Sequence, residues 1–383
     1  MKSISLFSGM GGDTLGMTQA NCEVIAFNEF DCAAIKSHKA NFPNSTILCA
    51  PPMDENERQL YKSTLHGDKN EIKHAMKLYD KKKKDIYNIQ NIPDNIFSVY
   101  NVDLIFAGHP CQGFSNGGKK ITNDPRNSLF LEFIRCAKLI QPKYIIGENV
   151  DGLLTKKTDS GEKYIDVIVN EFETIGYTIS YKICHMVKYG IPQLRKRLIY
   201  VGIRKDLNKK YVFPKELPSL KPNLKDIIQF NMEGSIKIEK EDFDMTLIPP
   251  ECILTNMENN EEGSTNPHPY LVSKAKTRNK EYNGKVHYSM LSFSKRDSPI
   301  HCEIIDIRNP CKTIICTYDH QPRLFVPLKN KKGYYLRCIL PDELKQIQGF
   351  PPDFTLVGTN KDKIKQIGNA VPPPMVKQIV ELL

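Results

Sequence analysis

The sequence predicts an α/β fold: a mostly parallel sheet with helices on both faces, joined to a smaller, irregular β-rich domain. Three observations carry this prediction. Through 1–205, short apolar runs of strand length alternate with stretches of helical texture. The first run leads into a glycine-rich turn, and the second ends in acidic residues, the arrangement of a nucleotide-binding crevice. From 206 to 332 the alternation stops, and prolines, glycines, charges and short strand-like runs take over. The expected division is a first domain at 1–205 with a polar insertion at 50–84, a second domain at 206–332, and a return to the first domain at 333–383.

Ser3 to Phe7 reads as a short buried strand, and Phe7-Ser8-Gly9-Met10-Gly11-Gly12-Asp13 as a tight turn into a helix. The spacing is neither GxGxxG nor a P-loop, since no GK[ST] follows. Glu23 to Asp31 is the second strand. Glu29 is placed to accept hydrogen bonds from ribose hydroxyls, and Asp31 to cap a helix over 32–41. The insertion holds one amphipathic helix, 71–79, and the run Lys81–Lys84, read as a solvated face. Asp85-Ile86 resumes the core pattern.

Val102 to Ala107 is a continuous apolar strand, and Gly108-His109-Pro110 ends it. Cys111 follows at the carboxyl end, where an open α/β sheet presents reactive groups. A cysteine is often only a small buried hydrophobe, but this turn context favours a reactive thiol. A helix over 129–140 and a strand over 143–150 come next. That strand delivers Glu148 and Asn149 to the same edge of the sheet as Cys111. A helix spans 163–175, and strands at 177–185 and 198–203 pair antiparallel. Between them Gln193, Arg195 and Arg197 alternate, which on an extended chain places them on one face suited to phosphate and base-edge hydrogen bonds. The 206–332 region is basic at Lys274 to Lys285, Lys295-Arg296 and Lys329 to Lys332. Pro341 starts a helix that Gly349 stops, and Gly368 to Pro374 leads into a terminal helix.

Composition sets the bounds. The chain has 383 residues, 40% hydrophobic and 26% charged, as in an ordinary globular protein. No apolar run is long enough to cross a membrane. The N-terminus enters a strand at once and leaves no room for a signal peptide, so a cytoplasmic location is expected. Eleven cysteines, without CxxC or Cys/His zinc spacing, point to reduced thiols and no metal site. A net charge of +10 suits a polyanionic partner. Abundant Lys, Ile and Asn with no Trp fit a low-GC coding bias.

In chain order, the blocks Phe7-Ser8-Gly9-Met10-Gly11-Gly12, Asn28-Glu29-Phe30-Asp31, Asp85-Ile86, Gly108-His109-Pro110-Cys111-Gln112-Gly113-Phe114-Ser115, Glu148-Asn149-Val150, Gln193-x-Arg195-x-Arg197, Arg337 through Gly349-Phe350-Pro351, and Gly368-Asn369-Ala370-Val371-Pro372 resemble those of the cytosine carbon-5 DNA methyltransferases of bacterial restriction-modification systems. The resemblance leaves out 50–84 and 206–332, and it departs at His109, where the family often has Phe or Pro. It implies a Rossmann-like domain that binds S-adenosyl-L-methionine, releases S-adenosyl-L-homocysteine, and acts on a flipped-out cytosine in duplex DNA. Cys111 would attack carbon 6, Glu148 would hydrogen-bond N3 and the exocyclic amine, and Arg197 would contact the base oxygen and a phosphate. Arg195 and Gln193 would support Arg197, and Asn149 would order the site. The implied cofactor contacts are Phe7 on adenine, Gly9, Gly11 and Gly12 at the amino-acid end, Glu29 on the ribose, Asp85 and Ile86 at adenine, and Asn369, Ala370 and Val371 on the methionine side, with Phe30 and Pro110 alongside. The loop 112–126 would close over the base, with Gln112, Ser115 and Arg126 touching substrate. The 206–332 region would read sequence in the major groove. A monomer is implied, as is a cognate restriction endonuclease that shares the site without a stable complex.

Three alternatives compete. A tRNA cytosine-5 methyltransferase has a short variable region, whereas 206–332 is long. An inactive DNA-binding homologue does not account for the intact Cys111, Glu148 and arginines. An amino-methylating enzyme carries an acidic residue or Ser before Pro-Pro-Tyr, unlike Pro110-Cys111-Gln112.

Overall fold

The structure, a computed structural model, describes residues 1–52, 73, 85–110, 129–216, 221–275, 281–282, 285–286, 291–295 and 301–383. Cys111, Gln112, Ser115 and Arg126, with the rest of the loop 112–126, lie outside the described residues, as do Arg296, Lys81–Lys84 and nearly all of the insertion with its expected helix.

The chain opens β1 (Lys2–Leu6), α1 (Gly12–Gln19), β2 (Glu23–Asn28), α2 (Cys32–Asn41), β3 (Thr46–Ile47) and α3 (Asp94–Ser98). It continues through β4 (Leu104–Ala107), α4 (Leu129–Ile140), β5 (Tyr144–Asn149), α5 (Tyr164–Thr174), β6 (Tyr177–His185) and β7 (Lys196–Arg204). These strands form one sheet in the order β3-β2-β1-β4-β5-β7-β6. Neighbours from β3 to β5 are parallel, and β7 runs antiparallel to both β5 and β6. The doubly wound, mainly parallel architecture agrees with the expected fold class. Its consequence for function is direct: β1, β2, β4 and β5 all end at the same edge.

A second sheet holds β8 (Ile236–Lys237), β9 (Leu254–Asn256), β12 (Leu291–Phe293), β13 (Cys302–Ile304), β14 (Leu324–Asn330) and β15 (Gly333–Cys338). A helix, α6 (Pro269–Ala275), buries Leu271 in the core of this sheet and sets Tyr270 against Phe325 of β14, and β10 (Glu281–Tyr282) with β11 (Lys285–Val286) forms a separate two-stranded ribbon. The chain ends in α7 (Pro341–Ile347), α8 (Asn360–Asn369) and α9 (Pro373–Val380). Gly333 is where the chain was expected to rejoin the first domain, yet β15 pairs with β14 along its whole length, from Asn330↔Gly333 to Phe325↔Cys338. The lysines at 329–332 are the tip of this hairpin, and their charge hides its register in the sequence.

The first sheet is covered on both faces. Ile105, Ile145, Leu198 and Tyr200 pack with Phe133 of α4 and Phe172 of α5. On the other face Leu104, Phe106, Ile146, Ile199 and Val201 pack with Met17 of α1 and Met375, Val376 and Ile379 of α9. Each such fully buried side chain contributes on the order of 1.5–3 kcal/mol. The second sheet shares its core with the C-terminal segment: Phe325, Leu328 and Leu336 cluster with Leu344, Ile347, Phe350 and Ile367. Arg337, fully buried, pairs with Glu343 through Nη1 to Oε2 at 2.7 Å and Nη2 to Oε1 at 2.6 Å, and also donates to the Gln229 carbonyl. Among the described residues no disulfide joins the cysteines, no group of three or more His, Cys, Asp or Glu is arranged to hold a metal, and no helix is long and apolar enough to cross a membrane.

Candidate active site

The four parallel strand ends deliver Phe7 to Gly9, Glu29-Phe30, Gly108 to Pro110 and Glu148-Asn149 to one edge. Gly108 marks where they meet. A Cβ built there would lie 3.4 Å from Val371 Cγ2, 3.8 Å from the Phe7 carbonyl oxygen and 3.9 Å from Glu148 Oε2. A side chain at 108 would therefore fill the junction of the glycine turn, the C-terminal segment and the Glu148 carboxylate.

Consecutive strand residues face opposite sides of a sheet. Glu148 turns to the α1–α9 face, where Arg197 Nε meets its Oε1 at 2.8 Å. Both side chains are largely buried, so the pair is desolvated and directional. Arg197 Nη1 also donates to the Lys196 carbonyl at 2.7 Å, which fixes the guanidinium. Asn149 turns to the α4–α5 face. Its Oδ1 accepts from Val150 N at 2.9 Å, and its Nδ2 reaches His109 Nδ1 at 3.0 Å and the His109 carbonyl at 3.3 Å. His109 Nε2 lies 2.9 Å from the Tyr200 hydroxyl. Burial lowers the His109 pKa to about 4, against a smaller opposing contribution from the Pro110 backbone, so the ring is neutral at pH 7. Tyr200 fits because residue 147 is glycine: a Cβ there would stand 1.9 Å from Tyr200 Cζ.

Gln193 and Arg195 are engaged within the protein, and this corrects the expectation that they offer their hydrogen bonds to phosphate and base edges beside Arg197. Regular strand geometry begins only at Lys196, and Gln193 N donates to the Ile191 carbonyl at 2.7 Å in a tight turn. Gln193 is buried, donating to Gln348 Oε1 at 2.6 Å and accepting from Ile314 N at 3.0 Å. Arg195, only 2% exposed, donates to the carbonyls of Ile314, Gly368 and Ala370 at 3.2, 3.1 and 3.3 Å. These two side chains brace β7 against the second lobe and the C-terminal segment, and their donors are spent there rather than on phosphate or base edges. Gln348, which sequence reading missed, completes the brace by donating to the Ala370 carbonyl at 2.6 Å.

At the glycine turn, Glu29 is held by backbone donors: Oε2 accepts from Gly9 N at 2.8 Å, and Oε1 from Phe30 N and Asp31 N at 2.8 and 2.7 Å. Burial raises its pKa, and those three N–H groups oppose the rise. Asp31 caps α2 through Ala33 N and Ala34 N and pairs with Lys365 of α8 at 2.6 Å. Asn28 Nδ2 donates to the carbonyls of Leu48 and Tyr87, which holds the Asp85-Ile86 segment beside the end of β2. In the sequence Asn28 appears only as the first residue of the block Asn28-Glu29-Phe30-Asp31, because a polar residue ending a strand carries no signal of its distant partners. Gly12 faces the C-terminal segment, where a Cβ would meet the Val371 carbonyl at 2.1 Å. Gly11 faces His38 and Phe42 of the α2 region rather than the open edge. Asn369 is exposed, whereas Ala370 and Val371 are buried. Beneath the turn, Asp13 accepts from Ser5 Oγ and Ser8 Oγ, and burial raises its pKa to about 7.

Comparisons with known proteins agree with this fold. The chain is 31% identical over 382 residues to the Type II methyltransferase M.FnuDI of Fusobacterium nucleatum, covering 97% of this chain and 91% of that protein. It is 28% identical to M.NgoPII of Neisseria gonorrhoeae, covering 99% of this chain and 94% of that one. A solved structure of a Spodoptera frugiperda DNMT2 mutant shares the fold at a TM-score of 0.59 and 17% identity, covering 100% of this chain and 98% of that one. The S. pombe Dnmt2 methyltransferase does so at a TM-score of 0.56 and 15% identity, with the same coverage. The family model for C-5 cytosine-specific DNA methylases matches residues 1–49 and 59–383, and the chain belongs to that family.

Proposed function

We propose that the protein methylates carbon 5 of a cytosine flipped out of duplex DNA, with Cys111 as nucleophile and Glu148 and Arg197 on the base. The observation that carries this reading is the buried Glu148–Arg197 pair, set at the edge where β4 leads through Gly108-His109-Pro110 toward Cys111. Cys111 Sγ adds as the thiolate to carbon 6, since only a few per cent of an ordinary thiol is ionised at pH 7 and the reaction needs that form. The electron pair of the 5,6 bond moves to carbon 5 and, by conjugation, to N3, where the Glu148 carboxyl in its protonated form donates to N3 while its other oxygen accepts from the exocyclic amine. Arg197 orients Glu148 and contacts the base oxygen and a phosphate. When bound, S-adenosylmethionine would supply an electrophilic sulfonium methyl group for carbon 5, with S-adenosylhomocysteine as the product. Loss of the carbon-5 proton to a base then restores the double bond and expels Cys111 Sγ, so the enzyme is regenerated.

The edge fits such a cofactor. The Glu29 carboxylate accepts from the Phe30 backbone nitrogen, Phe30 is 52% exposed, and a Cβ on Gly9 would meet nothing within 4 Å. Glu29 takes the ribose hydroxyls, Phe7 and Phe30 the adenine with Asp85 and Ile86, and Asn369 to Val371 the methionine side. Gln112, Ser115 and Arg126 contact the flipped nucleotide, and 206–332 reads its sequence. The protein acts as a monomer, and its natural counterpart is a restriction endonuclease specific for the same site. The family match favours DNA over tRNA as substrate.

Duplex DNA carrying 5-fluorocytosine tests this reading, because fluorine at carbon 5 does not leave as a proton does. With S-adenosylmethionine, the wild type is expected to form a denaturant-resistant adduct and Cys111→Ser to form none. Sequencing the trapped sites gives the recognition sequence. Methylated product without an adduct would move the chemistry to an amino group. Cofactor binding with neither product nor adduct would favour an RNA substrate or a regulatory role.

A further inference from the structure

We propose that His109 is a positioning residue for methyl transfer: its imidazole, braced between Asn149 and Tyr200, fixes the backbone that leads through Pro110 into Cys111. The inference rests on the reading of Cys111 as the nucleophile.

The last backbone bond that ties β4 to the sheet runs from Gly108 N to the Leu6 carbonyl at 3.3 Å. Beyond it, His109 is held from the neighbouring strands by side chains. The direction of each bond follows from one anchor. Val150 N donates to Asn149 Oδ1, so the amide presents its Nδ2 donor to His109. His109 Nδ1 therefore accepts, and the ring proton sits on Nε2, which donates to the Tyr200 hydroxyl oxygen. The same Nδ2 reaches the His109 carbonyl, so the ring and main chain are gripped together.

This arrangement costs free energy that an apolar residue would avoid. His109, Asn149 and Tyr200 are at most 2% exposed, and the His109 ring lies 6.5 Å from that of Phe130 in an otherwise apolar cluster. Phenylalanine would pack there without any hydrogen-bond requirement. The three polar groups satisfy one another and little else, and Gly147 makes room for the third. What the network secures is direction rather than charge, since the ring is neutral. A nucleophile displaced by about 1 Å can lose on the order of 10²-fold in rate.

Three variants separate this from a purely structural role. His109→Gln keeps an acceptor and an N–H donor, His109→Phe keeps the volume and removes both, and Tyr200→Phe removes one hydroxyl. The measurements are the single-turnover rate of 5-fluorocytosine trapping, the Kd values for S-adenosylmethionine and duplex DNA, and the thermal midpoint. His109→Phe and Tyr200→Phe are expected to trap about tenfold more slowly or worse, the factor of one lost hydrogen bond, with both Kd values within about twofold of wild type. His109→Gln is expected to recover most of the rate even where its midpoint is lower than that of His109→Phe. If wild type traps and Cys111→Ser does not, but His109→Phe and Tyr200→Phe trap at the wild-type rate, this inference alone is overturned. It is also overturned if rates follow the thermal midpoint across all three variants. If wild type forms no adduct, the reading of Cys111 fails and takes this inference with it.

Discussion

Glu148 and Asn149 are adjacent in β5 and serve opposite faces of the sheet. Glu148 pairs with Arg197 on the side of α1 and α9, and Asn149 grips His109 on the side of α4 and α5. One strand end thus supports two tasks: presenting a carboxylate, and holding the chain that leads to the proposed nucleophile. Glu148→Gln is expected to lower the single-turnover methylation rate by about 10²–10³-fold with S-adenosylmethionine affinity unchanged. Rapid-quench kinetics and a cofactor titration check it. An equal loss in both would place Glu148 in cofactor binding instead.

Gly147→Ala acts on the other face. Its Cβ would stand 1.9 Å from Tyr200 Cζ, in a strand whose backbone cannot retreat from β7. Overpacking of this kind costs roughly 1–3 kcal/mol or more. Urea unfolding is expected to show that loss, and trapping of 5-fluorocytosine should slow as Tyr200 is pushed from His109.

How much of this was legible in the sequence depends on the range of the contacts. Helices 32–41 and 129–140 lie where caps and periodicity place them, and Asp31 caps α2 as its position suggested. Local signals suffice there. The burial of Gln193 and Arg195 was hidden because alternation gives spacing and not partners, and theirs lie 119 to 175 positions away. The Tyr200–His109 contact spans 91 positions, and Tyr200 reads as an ordinary apolar strand residue. Only Gly147 within Tyr-Ile-Ile-Gly-Glu-Asn hinted that another group approaches closely.

Arg337→Met breaks the buried pair with Glu343 and leaves that carboxylate without its cation, although Leu340 N and Gln229 N still donate to it. Loss of one partner from a buried pair costs about 3–5 kcal/mol. Unfolding free energy is expected to fall by that amount, with the cofactor Kd of the folded fraction unchanged. Restored stability in the double variant Arg337→Met, Glu343→Leu would identify the stranded charge as the cause.

Asp13 gives a pH dependence. Burial raises its carboxyl from the ordinary 3.8 to about 7 in the folded protein, against the hydrogen bonds from Ser5 and Ser8. Between those values the folded state holds the proton more tightly than the unfolded chain. The Asp13 contribution to stability is therefore full below about pH 4, declines as pH rises, and is lost above about pH 7. Asp13→Asn, which stays neutral, is expected to remove this slope from unfolding free energies measured across that range. An unchanged slope would assign it to other groups.

Arg195 and Arg197 are two positions apart and are expected to respond differently to salt. A phosphate contact adds about one unit to the dependence of log K on log salt. Arg195 has its guanidinium enclosed by the carbonyls of Ile314, Gly368 and Ala370, so Arg195→Ala should leave that slope unchanged and lower unfolding free energy. Arg197, which borders the open edge through Glu148, should lower the slope when changed to Ala, besides destabilising the fold by stranding the Glu148 carboxylate. DNA binding measured over a salt series with both variants decides between them. A reduced slope for Arg195→Ala would return that residue to the DNA interface and would mean that the brace opens when DNA binds.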